Sequence, residues 1–405
     1  MMRCIRTVTV LLTLVLATAV PGLAQAADSP LLDSLLRALP TFRQHLAASP
    51  DSFELQVLLR PLTGSDSGVT HRWGVDPRRY FYPASTVKLP AAILALQWLE
   101  EQGVVGLDAD AVWRFARGRP EQIPSEPEGS AENARPLTVR NLVTDAMVVS
   151  DNEAYNRLFE ITGARYLNDE LHRRGWPTRI VHRVGVGGYD AEANTYLPPV
   201  SARAGNAARD TLYYRGLAVA KHDYEVGTSG EVKGVGRYDD ALGRVIDEPF
   251  DFSAKNLVAL EDLAGILQAL VAPATVDSAR RFRLGEAHRA LLLRAISTRP
   301  RDSPNPAHHA RDDGYVNFLY YGGGGAYEPD GPTIYNKVGD AYGYLTEAAV
   351  FEDAAGGRFL LAATVHVNAN RVYNDGVYEY DEIGLPLLRE LGRAVWASWR
   401  AGSFR

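Results

Sequence analysis

The sequence predicts an α+β fold in which one antiparallel sheet is built from both ends of the chain and an all-helical lobe is inserted between them. Near the N-terminus, apolar and polar residues alternate over 53–59, and a second short strand is predicted at 69–73. Near the C-terminus, three strand-like runs at 334–339, 344–352 and 359–367 are separated by short turns. Because short connections favour antiparallel hairpins, the two groups of strands predict one sheet that is flanked by the first and last helices.

Helices are predicted where apolar residues recur at intervals of three and four. The strongest pattern begins at Ser85, continues through Leu89, Ile93 and Leu96, and ends at Gly103. Weaker helical patterns occupy residues 31–46, a region that opens at Thr138, and residues 252–270, 286–296 and 379–399.

These patterns predict two structural units. Residues 27–104 and 284–405 form the sheet domain, and residues 105–283 form the helical lobe. Within the lobe, residues 179–251 are rich in Gly, Tyr and charge and have weak periodicity, so we expect an insertion of loops and short elements there. A cleft between the sheet and the lobe is the usual place for a site.

The N-terminus has the layout of a secretory signal. Two arginines precede an apolar stretch at residues 8–20, and Ala-Gln-Ala at residues 24–26 fits a signal-peptidase site. A membrane anchor is the alternative, but the apolar run is shorter than the roughly 20 residues that a span needs. We therefore expect residues 1–26 to be cleaved and the protein to be periplasmic or secreted, with no membrane span afterwards. The one cysteine, Cys4, would leave with the signal, which excludes disulfides and thiolate metal sites in the mature chain.

The overall charge limits the range of partners. The formal net charge is −6 and there is no basic run, so nothing favours nucleic acid or an anionic membrane. His308 and His309 are adjacent and have no third ligand in the pattern, so we predict no metal site, and no cofactor motif is complete. The oligomeric state stays open.

Ser85 and Lys88 form a Ser-x-x-Lys pair at the start of the strongest helix. Residues three apart lie on one helical face, so the hydroxyl and the amine are expected to meet. Serine needs a base to become a nucleophile, and lysine serves as one when burial or a neighbouring cation lowers its pKa. The alternative is a helix-capping serine beside a surface lysine.

A second motif, Ser150-Asp151-Asn152, follows an apolar helical run. Its hydroxyl is suited to relay a proton to a leaving nitrogen, and its side-chain amide is suited to hold a substrate amide. The alternative is a plain helix start, since all three residue types are good caps.

The third motif, Lys337-Val338-Gly339, lies on a predicted strand. A lysine there is placed to neutralise a substrate carboxylate and to lower the pKa of Lys88, while Gly339 lets a substrate backbone lie close. The alternative is an ordinary exposed strand lysine.

The three motifs, in this order and in these structural contexts, resemble those of class A β-lactamases and penicillin-binding proteins. Residues 136–163, PLTVRNLVTDAMVVSDNEAYNRLFEITG, closely resemble the stretch around the Ser-Asp-Asn motif in that family. The order of predicted elements fits the family over most of residues 30–400, apart from the middle insertion. The resemblance implies a β-lactamase/D,D-peptidase-like fold and a serine hydrolase that acts on a small molecule or a cell-wall peptide.

The resemblance also implies a role for each matching residue. Ser85 is the acylated nucleophile, Lys88 is its base or part of a proton relay, Ser150 passes a proton to the leaving nitrogen, and Lys337 holds a carboxylate and tunes the site. The resemblance also implies three substrate-binding residues: Asn152, Gly339 and Asp340. Asn152 contacts the substrate, and the backbone N–H groups of Asp340 and Ser85 together form the oxyanion hole.

Two departures from the family pattern bear on the activity. Val338 stands where the family has a hydroxyl residue that helps to bind a carboxylate. The loop that carries the family's deacylating glutamate is rewritten at residues 181–199, where Glu192 is the best match. Three hypotheses follow: a β-lactamase, a penicillin-binding-protein-like D,D-peptidase or esterase with slow or no β-lactam turnover, and a catalytically silent protein that binds peptidoglycan or a partner.

Overall fold

A computed structural model gives the fold of residues 27–125, 135–204, 210–325 and 328–404. The predicted signal peptide at residues 1–26 lies outside these ranges and stays a prediction. No helix within them is both long and apolar enough to cross a membrane.

The described residues contain strands in both halves of the chain and helices between and around them. The helices are α1 (Pro30–Ala38), α2 (Lys88–Gln102), α3 (Val139–Val148), α4 (Asn152–Arg173), α5 (Leu260–Val271), α6 (Glu286–Ser297), α7 (Phe318–Tyr321) and α8 (Leu385–Arg400). The strands are β1 (Gln56–Pro61), β2 (His71–Trp73), β3 (Val112–Phe115), β4 (Tyr196–Leu197), β5 (Val200–Arg203), β6 (Thr211–Arg215), β7 (Ala218–Val219), β8 (Val232–Lys233), β9 (Gly236–Asp239), β10 (Arg244–Ile246), β11 (Phe250–Asp251), β12 (Thr333–Ala341), β13 (Tyr344–Glu352), β14 (Arg358–His366) and β15 (Val372–Tyr373).

The main sheet has five strands in the order β12-β13-β14-β1-β2, and every neighbouring pair is antiparallel. The pairing of β1 with β14 joins the two ends of the chain, as the sequence predicts. A two-residue turn connects β12 to β13, with Tyr342 at φ 54° and Gly343 at φ 82°. Positive φ at both positions is typical of a tight hairpin turn.

The sheet is covered on both faces. Leu32 and Leu36 of α1, together with Leu387 and Leu391 of α8, pack in one buried apolar cluster with Leu361 of β14. The opposite face packs against α5, which the sequence analysis assigned to the lobe and which contacts β13 and β14. Since both faces are covered, β13 and β14 are buried along almost their whole length.

The lobe is not all-helical, and that part of the predicted fold is wrong. Helices α3 and α4 form its centre, but β3, β5 and β6 make a separate three-stranded antiparallel sheet, and shorter strand pairs fill the insertion. In β3, Trp113 and Phe115 are buried while Arg114 is exposed, which is strand alternation over only four residues. So short a run gives a weak signal in sequence, and pairing with distant strands supplies the rest of its stability.

Prolines and local turns shift the ends of several predicted elements. The helix predicted at 31–46 breaks because Leu39, which precedes Pro40, is extended at φ −70° and ψ 133°. It resumes as one π-helical turn at Phe42–Leu46. The helix predicted from residue 252 begins at Leu260, and the last α-helix begins at Leu385 after a π-helical turn.

Candidate active site

Ser85 lies on a 3-10 turn, Ala84–Val87, that leads into α2. Ala84, just before it, is held at φ 46°, a left-handed conformation that non-glycine residues rarely adopt. Such strain persists only where the surroundings enforce it, and it is common at functional sites.

Strand β12 lies directly against the backbone of Ser85. A Cβ atom on Gly339 would lie 2.6 Å from the Pro83 carbonyl oxygen and 2.8 Å from the Ser85 amide nitrogen. Only glycine fits this contact without displacing backbone. It places the next residue of β12, Asp340, at the wall of the cavity that holds Ser85.

Lys88 is fully buried, and its amine is directed at the Ser-Asp-Asn motif. It donates to the Ser150 hydroxyl at 3.1 Å, to the Asn152 side-chain carbonyl at 2.7 Å and, in a very short contact, to the Ser150 backbone carbonyl. The Ser-x-x-Lys spacing predicts that this amine meets the Ser85 hydroxyl. The structure gives its hydrogen bonds to Ser150 and Asn152 instead.

Ser150 joins both lysines of the predicted site. Lys337 is 1% exposed, and its amine donates to the Ser150 hydroxyl at 2.9 Å and to the Val338 carbonyl at 2.8 Å. Ser150 has φ 57°, so its backbone is also left-handed. One hydroxyl oxygen thus accepts from two buried amines, one from α2 and one from β12.

Burial disfavours the charged form of both amines. Burial, followed by the charge of Lys337, lowers the pKa of Lys88 well below its usual range. Burial lowers the pKa of Lys337 to about 7, against the opposing effect of nearby Asp340 and Glu347. The neutral amine, which is the form that accepts a proton, is therefore easier to reach at Lys88 than at an exposed lysine.

A cavity of about 400 Å³ opens in front of Ser85. Asn152 and Asp340 line it, and tyrosine side chains form much of its wall: Tyr82, Tyr342 and Tyr378. Asn152 and Asp340 are predicted site residues, whereas the tyrosines are not, because 20 tyrosines spread over the chain give no local pattern.

A loop from the lobe closes the other side of the cavity through Val184 and Gly185. Asn156 of α4 fixes this loop, since its side chain donates to the Val184 carbonyl at 3.0 Å and accepts from the Val184 amide at 2.9 Å. Gly185 lies against Asn152: a Cβ atom there would lie 2.1 Å from the Asn152 side-chain nitrogen. No sequence pattern predicts either contact.

Buried ion pairs support the same loop. Glu160 of α4, 2% exposed, accepts from Arg157 at 2.8 Å and from Arg183 at 2.9 Å. Arg183 precedes Val184, so the loop that touches Asn152 is tied to the core of the lobe.

The structure does not bring Glu192 to this cavity. Glu192 is exposed, and its backbone carbonyl accepts from Thr195. Among the lining residues that the structure describes, Asp340 is the one carboxylate. Val338 is buried in the apolar cluster beneath the sheet, away from the cavity wall.

A family model matches part of the chain, and solved structures match its fold. The model of the Beta-lactamase enzyme family matches residues 44–214, a segment that includes Ser85, Lys88, Ser150 and Asn152. No curated protein sequence matches the chain.

Among solved structures, a β-lactamase from Sphaerobacter thermophilus is 15% identical with a TM-score of 0.50, over 92% of this chain and 97% of its own. A β-lactamase from Burkholderia vietnamiensis is 14% identical with a TM-score of 0.50, over 92% of this chain and 99% of its own. The extended-spectrum β-lactamase TLA-3 is 12% identical with a TM-score of 0.50, over 91% and 99%. The predicted resemblance is thus confirmed, and the chain has the fold of the β-lactamases.

Proposed function

We propose that this protein is a serine hydrolase that cleaves an amide or ester through an acyl-enzyme on Ser85. The observation that supports this most is the Ser150 hydroxyl, which accepts hydrogen bonds from both Lys88 and Lys337, while Asn152 of the same motif lines the cavity that holds Ser85. A helix-capping serine and a surface lysine would not need two buried amines that converge on one hydroxyl.

In the proposed acylation step, the Lys88 amine takes the proton of the Ser85 hydroxyl as its oxygen attacks the substrate carbonyl. Asn152 both accepts from Lys88 and lines the cavity. When a substrate amide engages Asn152, the Lys88 amine is released to turn towards Ser85. The lowered pKa of Lys88 makes the neutral amine available for this step.

The developing oxyanion is held by the backbone N–H groups of Ser85 and Asp340, which the Gly339 contact brings together. Losing one such donor costs about 3 kcal/mol in the activation barrier. The proton then passes from Lys88 through the Ser150 hydroxyl to the leaving group, which departs as the Ser85 ester forms. The charged form of Lys337 attracts a substrate carboxylate.

Release of the acyl group is proposed to be slow. Deacylation needs a base that activates water, and Val184 and Gly185 occupy the loop positions nearest Asn152. Glu192 is outside the cavity. We therefore favour behaviour like that of penicillin-binding proteins, in which the acyl-enzyme formed from a β-lactam persists, while the substrate that is cleaved is a cell-wall peptide or a related ester.

A β-lactamase with true turnover is the second candidate, and one observation favours it. Asp340 lines the cavity, and burial raises the pKa of its carboxyl, which makes it a stronger base for water. In that case the class A label would hold with Asp340 in place of the usual glutamate.

Export is part of the same proposal. The pattern at residues 1–26 and the resemblance to the β-lactamase family both support a cleaved signal peptide and a periplasmic or secreted enzyme.

The test is incubation of the purified protein with a chromogenic cephalosporin and, separately, a chromogenic ester, with absorbance and intact mass read together. A stable adduct that disappears in Ser85→Ala but remains in Ser65→Ala, an exposed control, supports the proposal. Sustained turnover that Asp340→Asn abolishes supports the second candidate. Neither adduct nor turnover with either compound would overturn the catalytic assignment and favour a silent binding protein.

A further inference from the structure

The cavity that holds Ser85 has a tyrosine wall, formed by Tyr82, Tyr342 and Tyr378. Tyr342 is the first residue of the β12–β13 turn, and its φ of 54° is a left-handed value that such turns usually give to Asn, Asp or Gly. A bulky residue there is strained, and strain of this kind is common at functional sites. Tyr342 meets the Tyr82 ring edge to face, with centroids 5.0 Å apart.

The insertion supports Tyr342 with two phenylalanines. Phe250 of β11 packs on the Tyr342 ring with centroids 5.1 Å apart, and Phe252 meets the same ring edge to face at 5.5 Å. Phe252 also packs on Tyr82 at 6.0 Å. Phe252 is fully buried, whereas Tyr342 is only half-buried. The phenylalanines therefore hold one side of Tyr342 in place, while the residue still lines the cavity.

The insertion also supports Tyr378, through the chain that follows β15. The Tyr378 hydroxyl accepts from the Asn374 backbone amide at 2.9 Å, and Asn374 lines the cavity as well. The Asn374 side chain in turn donates to the Tyr238 carbonyl of β9 at 3.3 Å. Contacts from the insertion thus hold both Tyr342 and the segment that carries Tyr378.

The geometry of the site indicates which part of a substrate meets the tyrosine wall. In the proposed function, the Asp340 backbone N–H holds the carbonyl that Ser85 attacks. Tyr342 follows Asp340 by two residues, which is about 7 Å along an extended chain, so a ring joined to that carbonyl by one methylene group lies within its reach. The leaving group receives its proton from Ser150, which does not line this cavity. The acyl group is therefore the part that faces the tyrosines.

We infer that the acyl group of the substrate carries an aromatic ring, which packs on Tyr342 and Tyr378. Aromatic side chains bind a flat ring through offset-stacked or edge-to-face contacts, and they lose little conformational freedom when they do so. The inference rests on the proposed acylation at Ser85. It names the substrate class that the site prefers, which is esters and amides of aryl-substituted carboxylic acids.

The test uses three thioesters that share one aliphatic thiol and differ only in their phenylacetyl, cyclohexylacetyl or acetyl group. Thiol release and intact mass give the second-order rate constant of acylation, which is divided by the rate of hydrolysis of the same thioester in hydroxide. We expect this corrected constant to be higher for phenylacetyl than for acetyl by about 10-fold or more. It should exceed that for cyclohexylacetyl by about threefold.

Variants locate the source of the preference for phenylacetyl over acetyl. Tyr342→Ala should reduce it by about 3- to 10-fold, whereas Tyr342→Phe keeps the ring and should retain it. Phe250→Ala removes a support of Tyr342 and should also reduce it. The control is Tyr214→Ala, at a tyrosine of β6 that is 69% exposed, which should leave the preference unchanged. Thermal unfolding checks the fold of each variant.

Binding to Ser85→Ala tests the tyrosine wall without any acylation. Isothermal titration of this variant should show binding about 10-fold tighter for N-phenylacetylglycine amide than for N-acetylglycine amide. Equal binding of the two amides would overturn the inference, and so would equal corrected acylation of Ser85 by the three thioesters or a preference that Tyr342→Ala leaves intact. These results would leave the proposed acylation standing, whereas no adduct on Ser85 from any thioester would overturn that proposal instead.

Discussion

The hydroxyl of Ser150 can be removed in two ways that differ only in their effect on the backbone. Ser150→Ala deletes the oxygen that accepts from Lys88 at 3.1 Å and from Lys337 at 2.9 Å. Ser150→Gly deletes the same oxygen and also relieves the left-handed backbone at φ 57°, where a side chain is disfavoured. Both variants keep the backbone carbonyl to which Lys88 donates.

The structure sets the size of each effect. A hydrogen bond to a charged group contributes about 1.5–3 kcal/mol, so losing the Ser150 oxygen from the proton path should slow acylation by roughly 10- to 150-fold in both variants. The left-handed conformation costs a non-glycine residue about 1–2 kcal/mol. The glycine variant should therefore be about 1 kcal/mol more stable than the alanine variant while being equally slow.

The acylation rate is followed by stopped-flow absorbance with the chromogenic ester, and the free energy of unfolding by urea titration. The expected result is two equally slow enzymes that differ in stability. An alanine variant that acylates within about threefold of the unchanged protein would refute the proposed proton path. Rates that follow stability, with the glycine variant faster, would show that the hydroxyl acts only through folding.

Three further predictions concern the site and the loop that supports it. Gly185→Ala places a methyl group against the side-chain amide of the Ser-Asp-Asn motif, so kcat/KM for acylation should fall by about 10-fold or more. The control is Gly187→Ala, where a Cβ atom meets nothing within 4 Å, and it should leave kcat/KM unchanged in the same assay. The pKa of Lys337 is lowered to about 7, so its amine loses its charge as the pH rises through that value. The preference for a carboxylate-bearing ester over its neutral counterpart should therefore decline above about pH 7. A preference that is flat from about pH 5 to 9 would contradict this prediction. Glu160→Gln leaves two buried arginines short of their anion and should lower the free energy of unfolding in urea by about 3–5 kcal/mol, while Glu153→Gln, whose side chain is 71% exposed, should change it by less than about 0.5 kcal/mol.

Strong local patterns made much of the sheet domain predictable. Strands β12 to β14 lie where the sequence places them, because their turns are short and their apolar runs are bounded by Gly and Asp. The end of α2 was also predictable, since Gly103 adopts φ 63° as a C-terminal helix cap. The lobe was not, because β3, β5 and β6 are only four or five residues long, and β3 pairs with β5, which lies far along the chain.

The three motifs identify the residues that lie together at the site, but they do not predict the hydrogen bonds between them. Ser150, Asn152 and Lys337 do converge with Lys88, as the spacing of the motifs suggested. The bonding of Lys88 depends on the left-handed turn at Ser150, which sequence alone does not reveal. Glu192 is the best sequence match to the family's deacylating glutamate, but it lies outside the cavity. The loop that lines the cavity is instead held by Asn156 and by the buried ion pairs of α4.

The central claim is that Ser85 becomes acylated and stays so. The most direct measurement is a time course of intact mass after a single addition of the acylating cephalosporin or ester, with peptide mapping of the modified protein. The proposal predicts one adduct per chain, located on the peptide that contains Ser85, that persists long after the free reagent is removed. An adduct on another residue, or a chain that stays unmodified while Ser85→Ala behaves identically, would contradict it.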